Sequence, residues 1–493
     1  MNTINTNTDW TRQCEAEPLA LSGAIQAHGG LLHITDQALI THASANLASY
    51  FACQPETLPG QVLPAPLEAV LHPALATLNK APGSRVELFD VAMAERHSVD
   101  IVVSRSSLGI VVEFSAHDHR HIPIQPHSVL MRTPSSAQES LDLHQRIADL
   151  LNNITGFNRV MIYAFREDGD GEVLAEARNT DVYGSYLGLR FPGSDIPQIA
   201  RNLYKKNPWR LIPDSQAASV PLLSRAAAVP DLTWSDLRSV SPVHQSYLAN
   251  MGVRASLSLP IMVGSELWGL IACHHAEPRV LPLKVMRAAS QISKHYSMLI
   301  STSVAESRMR LIDRLDNVYA AMREVILLQG GLMSVMPDIA PALFDLFGVS
   351  GLAIRLGNVW AHTGDTPNAS TLEKLSSSYE QAPGESIVFI DSLARAYPAL
   401  GAMPVAGALA IKMHTRDDQC LQVWLFRREL LHEVQWGGNP HKPVESQDGK
   451  LGIAPRQSFE KWTEKRKNYC SQWLQENQLA AKRLRQLLFQ LFT

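Results

Sequence analysis

The chain has 493 residues, with 44 Lys+Arg against 47 Asp+Glu and a net charge of -3. That length predicts about three domains of roughly 100–200 residues, each able to bury its own core. At 45% apolar and 18% charged, without a basic domain, the composition excludes disordered and fibrous classes and argues against a sequence-independent nucleic-acid binder, which needs clustered Lys and Arg.

The N-terminus, MNTINTNTDWTRQCEAEP, lacks the charged-then-apolar pattern of a signal peptide, and no apolar run approaches the length of a membrane span. The five cysteines (Cys14, Cys53, Cys273, Cys420, Cys470) are dispersed and contain no CxxC pair. They suggest a reducing cytoplasm rather than a disulfide frame or a zinc cluster. Residues 19–120 alternate short apolar runs with turn residues. GGLLHI (29–34), VELFDVAMA (86–94) and SVDIVVSRSSLGIVVEFSA (98–116) read as strands, with VDIVV and GIVVEF as antiparallel neighbours. A helix follows at SLDLHQRIADLLNNITG, where Leu141, Leu143, Ile147, Leu150, Leu151 and Ile154 recur at helical spacing. RVMIYAF (159–165) and EVLAEAR (172–178) are strands. ASLSLPIMV (255–263) and ELWGLIACHH (266–275) form a hairpin through Gly264-Ser265. Helix-flanked antiparallel sheets of this kind define an α+β, sensor-like class.

From Leu283 to Gln329 there is no Gly or Pro, and Leu311, Leu315, Val318, Met322 and Val325 follow a heptad rhythm. This predicts one long helix acting as a connecting or dimerising spine, the alternative being a helix packed on its own domain. A third block repeats short strands at GLAIRLG, GALAIKMH and QVWLFRREL. The chain closes on an amphipathic helix with Leu474, Ala481, Leu484, Leu488 and Leu491 on one face. That helix ends without a cap, so it is expected to continue into an output module.

Motifs for catalysis are lacking: there is no GxGxxG, GxxxxGK[ST], HExxH or GxSxG. Cys273, His274 and His275 are consecutive on a strand, so their side chains alternate between faces and do not converge on a metal. Asp195 lies between Pro192 and Pro197, where it is either the N-cap of the following helix or a fixed functional carboxylate. His244 and Tyr247, at i and i+3, share a helix face.

Five strings in order make the chain resemble the bacteriophytochromes: QCEAEPLALSGAIQAHG (13–29), RFPGSDIP (190–197), SPVHQSYLANMG (241–252), LWGLIACHH (267–275), and WGGNPHKP (436–443) paired with PRQSF (455–459). The resemblance implies a three-domain PAS–GAF–PHY core with antiparallel sheets, long connecting helices and an N-terminal knot centred on Ile25. Its divisions would be an N-terminal arm and PAS domain at 1–124, a GAF chromophore domain at 125–310, and a PHY domain at 311–493. The last would carry a tongue at about 430–465 and an output helix. It also implies a red/far-red photoreceptor that switches between Pr and Pfr by Z/E isomerisation at C15=C16. The chain itself would not be an enzyme; it would act as a homodimer through its long helices and signal to an output module or response regulator, with no nucleic-acid or membrane partner.

By the same resemblance, biliverdin forms a thioether to Cys14, which sits on a polar arm where a thiolate is accessible. Gln245 occupies the position where plant-type relatives carry their cysteine. Arg210 and Arg238 would bind the propionates, with Ser241, Ser256 and Ser258 as hydroxyl donors. Ser256 and Ser258 are two apart on one strand and hence on one face. His244 would lie near the pyrrole nitrogens and His274 near the ring D carbonyl, with Tyr163, Phe191, Ile196 and Tyr247 around ring D. Asp195 would pair with Arg456 in the tongue, beside Trp436, Pro455 and Ser458, until isomerisation releases it. Two positions depart from the family pattern: Gly193 in place of Ala, expected to loosen the backbone beside Asp195 and speed thermal reversion, and Ser22-Gly23 in place of Pro-Gly. The competing class is a GAF-type ligand or cyclic-nucleotide sensor without pigment. Histidine kinase or diguanylate cyclase motifs are not found in the sequence.

Overall fold

The structure is a computed structural model that describes residues 17–93, 98–119, 132–180, 184–225, 227–381, 386–401, 403–430, 432–440 and 459–492. Two compact units emerge: residues 1–303 with 435–462, and residues 304–434 with 463–493. Among the described residues no helix is long and apolar enough to cross a membrane.

The first unit begins with β1 (Ala24–Ile25), β2 (Gly30–Ile34), β3 (Ile40–Ser44), α1 (Ala65–Thr77), β4 (Arg85–Ala92), β5 (Ser98–Ser106) and β6 (Gly109–Ala116). Then come α2 (Ala137–Thr155), β7 (Arg159–Phe165), β8 (Gly171–Arg178), β9 (Arg190–Phe191), α3 (Gln198–Tyr204), β10 (Arg210–Ile212), β11 (Val220–Ser224), α4 (Pro242–Asn250), β12 (Ala255–Val263) and β13 (Glu266–His275). The first sheet has the order β1-β11-β3-β2-β6-β5-β4, so β11, from the second block of sequence, completes the first sheet.

The strand pair β1–β11 draws the N-terminal arm into that second block. Leu222 N–H donates to Gly23 O (3.1 Å) and Leu232 N–H to Ala20 O (2.9 Å) on one stretch of it. Gln26 N–H donates to Leu237 O (2.7 Å) and Ser239 N–H to Ala24 O (3.2 Å) on another. Ile25, fully buried, packs with Leu31, Val111, Leu232 and Leu237. Gly23, at φ +63, makes the turn into this clasp in a conformation that other residues enter only at a cost.

The second sheet runs β10-β12-β13-β7-β8-β9 and continues through β19 (His432–Gly437) and β20 (Lys461–Arg466), and its period of two separates core from site. Val160, Ile162, Leu211, Leu257, Leu259, Ile271 and Cys273 face a core closed by α2, with Leu143, Ile147 and Leu151, and by the next helix. The alternating residues face the opposite way. α2 starts three residues earlier than its apolar stripe suggests, because Ser136 caps it: its side chain accepts from Glu139 N–H, and Gly156 ends it at φ +63. Leu141 lies off the buried stripe and is 49% exposed.

The helix α5 (Leu283–Leu328) has the length that the absence of Gly and Pro predicts. In the second unit come α6 (Met336–Phe347), β14 (Gly351–Leu356), β15 (Val359–Gly364), α7 (Ala369–Gln381), β16 (Ile387–Ile390), α8 (Leu393–Ala396), β17 (Gly407–His414), β18 (Cys420–Arg427) and α9 (Gln475–Phe492). Their antiparallel sheet is ordered β15-β14-β18-β17-β16. Leu315 and Met322 are buried in that core, and Leu311, Val318 and Val325 pack against it. Leu315 and Met322 of the α5 seam are therefore covered within the second unit, while Leu311, Val318 and Val325 remain half-buried. α9 buries Ala480, Ala481, Leu484, Leu487 and Leu488, while Leu474 precedes the helix and is 47% exposed. The two arms β19 (His432–Gly437) and β20 (Lys461–Arg466) lie between β18 and α9 in sequence.

Candidate functional site

The face of the second sheet away from its core gathers polar and aromatic residues through strand register. Arg210 on β10 is opposite Ser258 on β12, and Ile212 is opposite Ser256. Ser256 is in turn opposite His274, and Ser258 opposite Ala272. Met161 faces Ala272 and Tyr163 faces Leu270 across β13 and β7. Directly opposed residues point to the same side, so Arg210, Ser256, Ser258, His274, Met161 and Tyr163 share one surface. His274 and Cys273 point to opposite faces, as their adjacency requires.

Of the two cations here Arg210 is half-buried and Arg238 buried, and neither has an ion-pair partner among the described residues. Arg210 donates to the carbonyls of Asp236 (3.3 Å), Arg238 (2.7 Å) and Ser239 (3.0 Å). Arg238, 7% exposed, donates to Leu232 O and Thr233 O at 3.3 and 3.4 Å. Burial, and then the like charge of Arg238, pull Arg210 down to about 9; burial lowers Arg238 in the same direction. The nearby carboxylates are engaged elsewhere. Asp236 takes a fork from Arg85 (2.7 and 3.0 Å), and Glu113 accepts from Ser235 Oγ and from the N–H groups of Asp236 and Leu237.

The histidines are held neutral. Burial and the nearby Arg210 guanidinium push His244 down to about 4. Burial, Arg159 and His244 push His274 to about 3. Among the described residues, His274 Nδ1 is buried with no hydrogen-bond partner. Ser241 Oγ, at the start of α4, donates to Glu17 Oε2 (2.9 Å) on the N-terminal arm, a contact with no signal in the sequence pattern.

An aromatic cluster closes one end. Met161, Tyr163, Val173, Leu189, Phe191 and Phe459 are buried together, with Tyr186, Ile196, Tyr247 and Met251 packed on them. Tyr163 meets Phe191 at 6.1 Å between ring centroids and Tyr247 meets Phe459 edge-on at 5.1 Å; His244 stacks on Tyr247 at 6.0 Å. Tyr186, Phe459 and Met251 were not anticipated; nothing in local spacing marks them. Asp195 sits in a tight turn, Gly193–Asp195, and the cap of α3 is Pro197 with no side-chain cap bond. The N-cap alternative therefore fails. Its Oδ2 instead accepts from Tyr247 Oη at 3.1 Å.

The reason for Gly193 also differs from expectation. Its φ is not in the left-handed region, but a Cβ there would lie 2.6 Å from Gly169 O. That carbonyl is fixed by Arg201, which also binds Gly193 O and Ile196 O. A side chain at 193 therefore has no room unless the loop at Gly169 shifts, a constraint in addition to backbone freedom. On β19, Trp436 is 3% exposed and pairs in parallel with Arg190 of β9, an exception to the antiparallel pattern. Cys14, Pro455, Arg456 and Ser458 lie outside the described residues. A separate cavity of about 530 Å³ lies where the two sheets of this unit meet, lined by His28, Glu113, Phe114, Trp209 and Asp236 among others.

A first sheet completed by a strand from the second block, a second sheet with a cationic and aromatic face, and a separate antiparallel sheet in the second unit define a three-domain sensor core. Residues 14–117 match the PAS fold family, 141–300 the GAF domain family, and 317–493 the phytochrome region family. Cyanobacterial phytochrome B of Nostoc sp. is 33% identical over 467 residues, covering 92% of this chain and 62% of the relative. A bacteriophytochrome of Pseudomonas aeruginosa is 31% identical over 511 residues, covering 97% of this chain and 66% of the relative. The chain thus spans less than two thirds of these two curated relatives. The solved photosensory core module of the Stigmatella aurantiaca phytochrome superposes with a TM-score of 0.81 at 31% identity, covering 97% of each chain. The chain belongs to the phytochrome family and comprises its PAS–GAF–PHY photosensory core.

Phytochromes are photoreceptors built around a bilin, a linear tetrapyrrole with two propionates. The residues present fit that group. Two guanidiniums, one half-buried and one buried, whose hydrogen bonds among the described residues go to backbone carbonyls suit two carboxylates. Two serines on the same face supply hydroxyls, and an orphaned buried imidazole nitrogen suits a carbonyl or N–H of the pigment.

Proposed function

We propose that this chain is the light-sensing core of a bacteriophytochrome that carries biliverdin, attached by a thioether to Cys14. The observation that carries this reading is the pair Arg210, half-buried, and Arg238, buried, which have no carboxylate partner among the described residues, with Arg210 on the same sheet face as Ser256, Ser258 and His274. The cysteines support the attachment by elimination. Burial raises the thiols of Cys273 and Cys420, and takes Cys53 and Cys470 up to about 11, so none of them is a ready thiolate nucleophile.

In this reading Arg210 and Arg238 hold the propionates, assisted by Ser241, Ser256 and Ser258. His244 and His274, both neutral, each offer one N–H and one lone pair to the pyrrole nitrogens and the ring D carbonyl. Tyr163, Phe191, Ile196 and Tyr247 form the apolar wall around ring D. When bound, the pigment supplies red-light absorption and Z/E isomerisation at C15=C16, the basis of Pr/Pfr switching. Asp195 is poised for two partners: it already accepts from Tyr247, and a pairing with Arg456 would tie the tongue to it until ring D competes. Release of the tongue, bounded by the arms at 430–465, would then pass along α5 and α9 to an output module. The clasp on Ile25 from 220–222 and from 232–239 supports a threaded N-terminal crossing, and domain divisions near 124 and 310 follow the family pattern.

A homodimer through the long helices fits this picture, with apolar residues of α5 beyond the covered part of the seam available to it. Met298, Val304 and Met309 on that helix are 65%, 43% and 66% exposed. Reconstitution with biliverdin, followed by denaturing electrophoresis under zinc-enhanced fluorescence, tests the attachment. Pigment that stays with the wild-type band and leaves the Cys14→Ala band supports it; pigment retained by Cys14→Ala overturns it.

A further inference from the structure

A second set of chemically competent side chains lies at the edge of the first sheet. β4 pairs with β5 as Leu88↔Ile101 and resumes as Val91↔Val99, so Phe89 and Asp90 bulge outward. Asp90 adopts φ +53, a left-handed conformation uncommon outside glycine, asparagine and aspartate. One buried carboxylate organises this bulge. Asp100, 1% exposed, accepts the Asp90 N–H on Oδ1 at 3.0 Å. The same oxygen lies 2.6 Å from His117 Nδ1, on the first residue after β6.

With Nδ1 of His117 bonded to Asp100, Nε2 is the ring nitrogen left for a ligand, and it lies 3.8 Å from Asp90 Oδ1. His119, two residues on, brings its Nδ1 to 4.0 Å from the same oxygen, and the two imidazoles meet at 4.7 Å between centroids. All three donor atoms lie within 4.8 Å of one another.

We propose that Asp90, His117 and His119 form a binding site for a divalent transition-metal ion of the zinc class. Two imidazole nitrogens and one carboxylate oxygen, with water in the fourth position, are a donor set suited to zinc. The Asp100–His117 hydrogen bond is the outer carboxylate that commonly fixes a metal-bound histidine. Tetrahedral bonds of about 2.0–2.2 Å need donor atoms about 3.3 Å apart, so the three must close by about an ångström. The Asp90 and His119 side chains are 57% and 71% exposed and free to make that movement. The present separations of 3.8 and 4.0 Å are too long for direct hydrogen bonds. A second feature points the same way: Asp100 Oδ2 is buried without a hydrogen-bond partner among the described residues, and a cation beside His117 would offset that charge. The ion would pin the β4 bulge to the strand that leaves the first domain.

The test uses the full chain without a polyhistidine tag, stripped with a chelator and with no bilin added. Zinc is titrated in competition with a chromophoric chelator, and the metal edge is read by X-ray absorption. One equivalent is expected to bind with two imidazoles in the first shell. His119→Ala and Asp90→Asn should each weaken binding at least about tenfold while leaving the urea midpoint unchanged; asparagine keeps the left-handed backbone. If the double variant binds the same equivalent with the same affinity, the ion resides on other histidines and the proposal is overturned. Absence of stoichiometric binding by the wild-type chain also overturns it.

Discussion

Replacing Arg238 with methionine separates a ligand-binding role from a structural one, because the two predict opposite outcomes. In the pigment-free chain the guanidinium gains little: two long hydrogen bonds, to Leu232 O and Thr233 O. Neither carbonyl is orphaned by its loss, since Ser235 N–H still donates to Leu232 O at 3.0 Å and Asn207 Nδ2 to Thr233 O at 2.8 Å. The change also removes a like charge beside Arg210. Stability without pigment should therefore move by no more than about 1 kcal/mol. A propionate bound in a fork loses two charge-assisted hydrogen bonds, about 1.5 kcal/mol each, or about 3 kcal/mol together. At 1.4 kcal/mol per factor of ten, that is about a hundredfold in affinity. The assay is a biliverdin titration in a Cys14→Ala background, where binding is reversible, beside urea unfolding of the same proteins. Destabilisation beyond about 2 kcal/mol with unchanged pigment affinity would refute the argument and make Arg238 a structural residue.

Three further outcomes follow from the same geometry. Gly193→Ala forces a Cβ against Gly169 O, so it should destabilise the chain by about 1–3 kcal/mol and displace the turn beside Asp195; equal urea midpoints for the two proteins would show the turn relaxes freely. Tyr247→Phe keeps the ring but removes the hydroxyl that donates to Asp195, so it should alter photoproduct yield or dark-reversion rate while pigment loading stays intact; a loading defect instead would show that the hydroxyl itself holds the pigment. His144, buried against Tyr296 Oη at 2.6 Å, is pushed down to about 4 by burial. The unfolded chain protonates this group near 6.5 and the folded chain does not, so its contribution is complete above pH 6.5 and is lost as pH falls toward 4. At pH 5.5 the loss relative to pH 7.5 is about 1 kcal/mol, and His144→Gln should reduce the stability difference between those two pH values by about that amount, the other buried histidines keeping the rest; an undiminished difference would contradict the assignment.

Much of the second sheet could be read from alternation alone. β7, β12 and β13 have the limits that their apolar runs suggest, and Ser256 and Ser258 fall on one face because a strand has a period of two. What escaped was non-local. The arm at 24–25 pairs with a strand nearly two hundred residues later, and β9 meets β19 in parallel; neither leaves a local trace. The heptad in α5 was a true apolar stripe, but periodicity cannot say whether a partner chain or the helix's own domain covers it. Asp195 shows the same limit, since its flanking prolines suited both a cap and a fixed carboxylate until Tyr247 was placed beside it. Gly193 was legible as a departure from the family, yet its cause, the carbonyl of Gly169, belongs to a different loop.

The most direct test of the account is a difference spectrum of the biliverdin-loaded chain after alternating red and far-red illumination. The account predicts a pigment that survives denaturation and a red/far-red difference that reverses over repeated cycles. Pigment uptake without any reversible change, or no uptake at all, would contradict it.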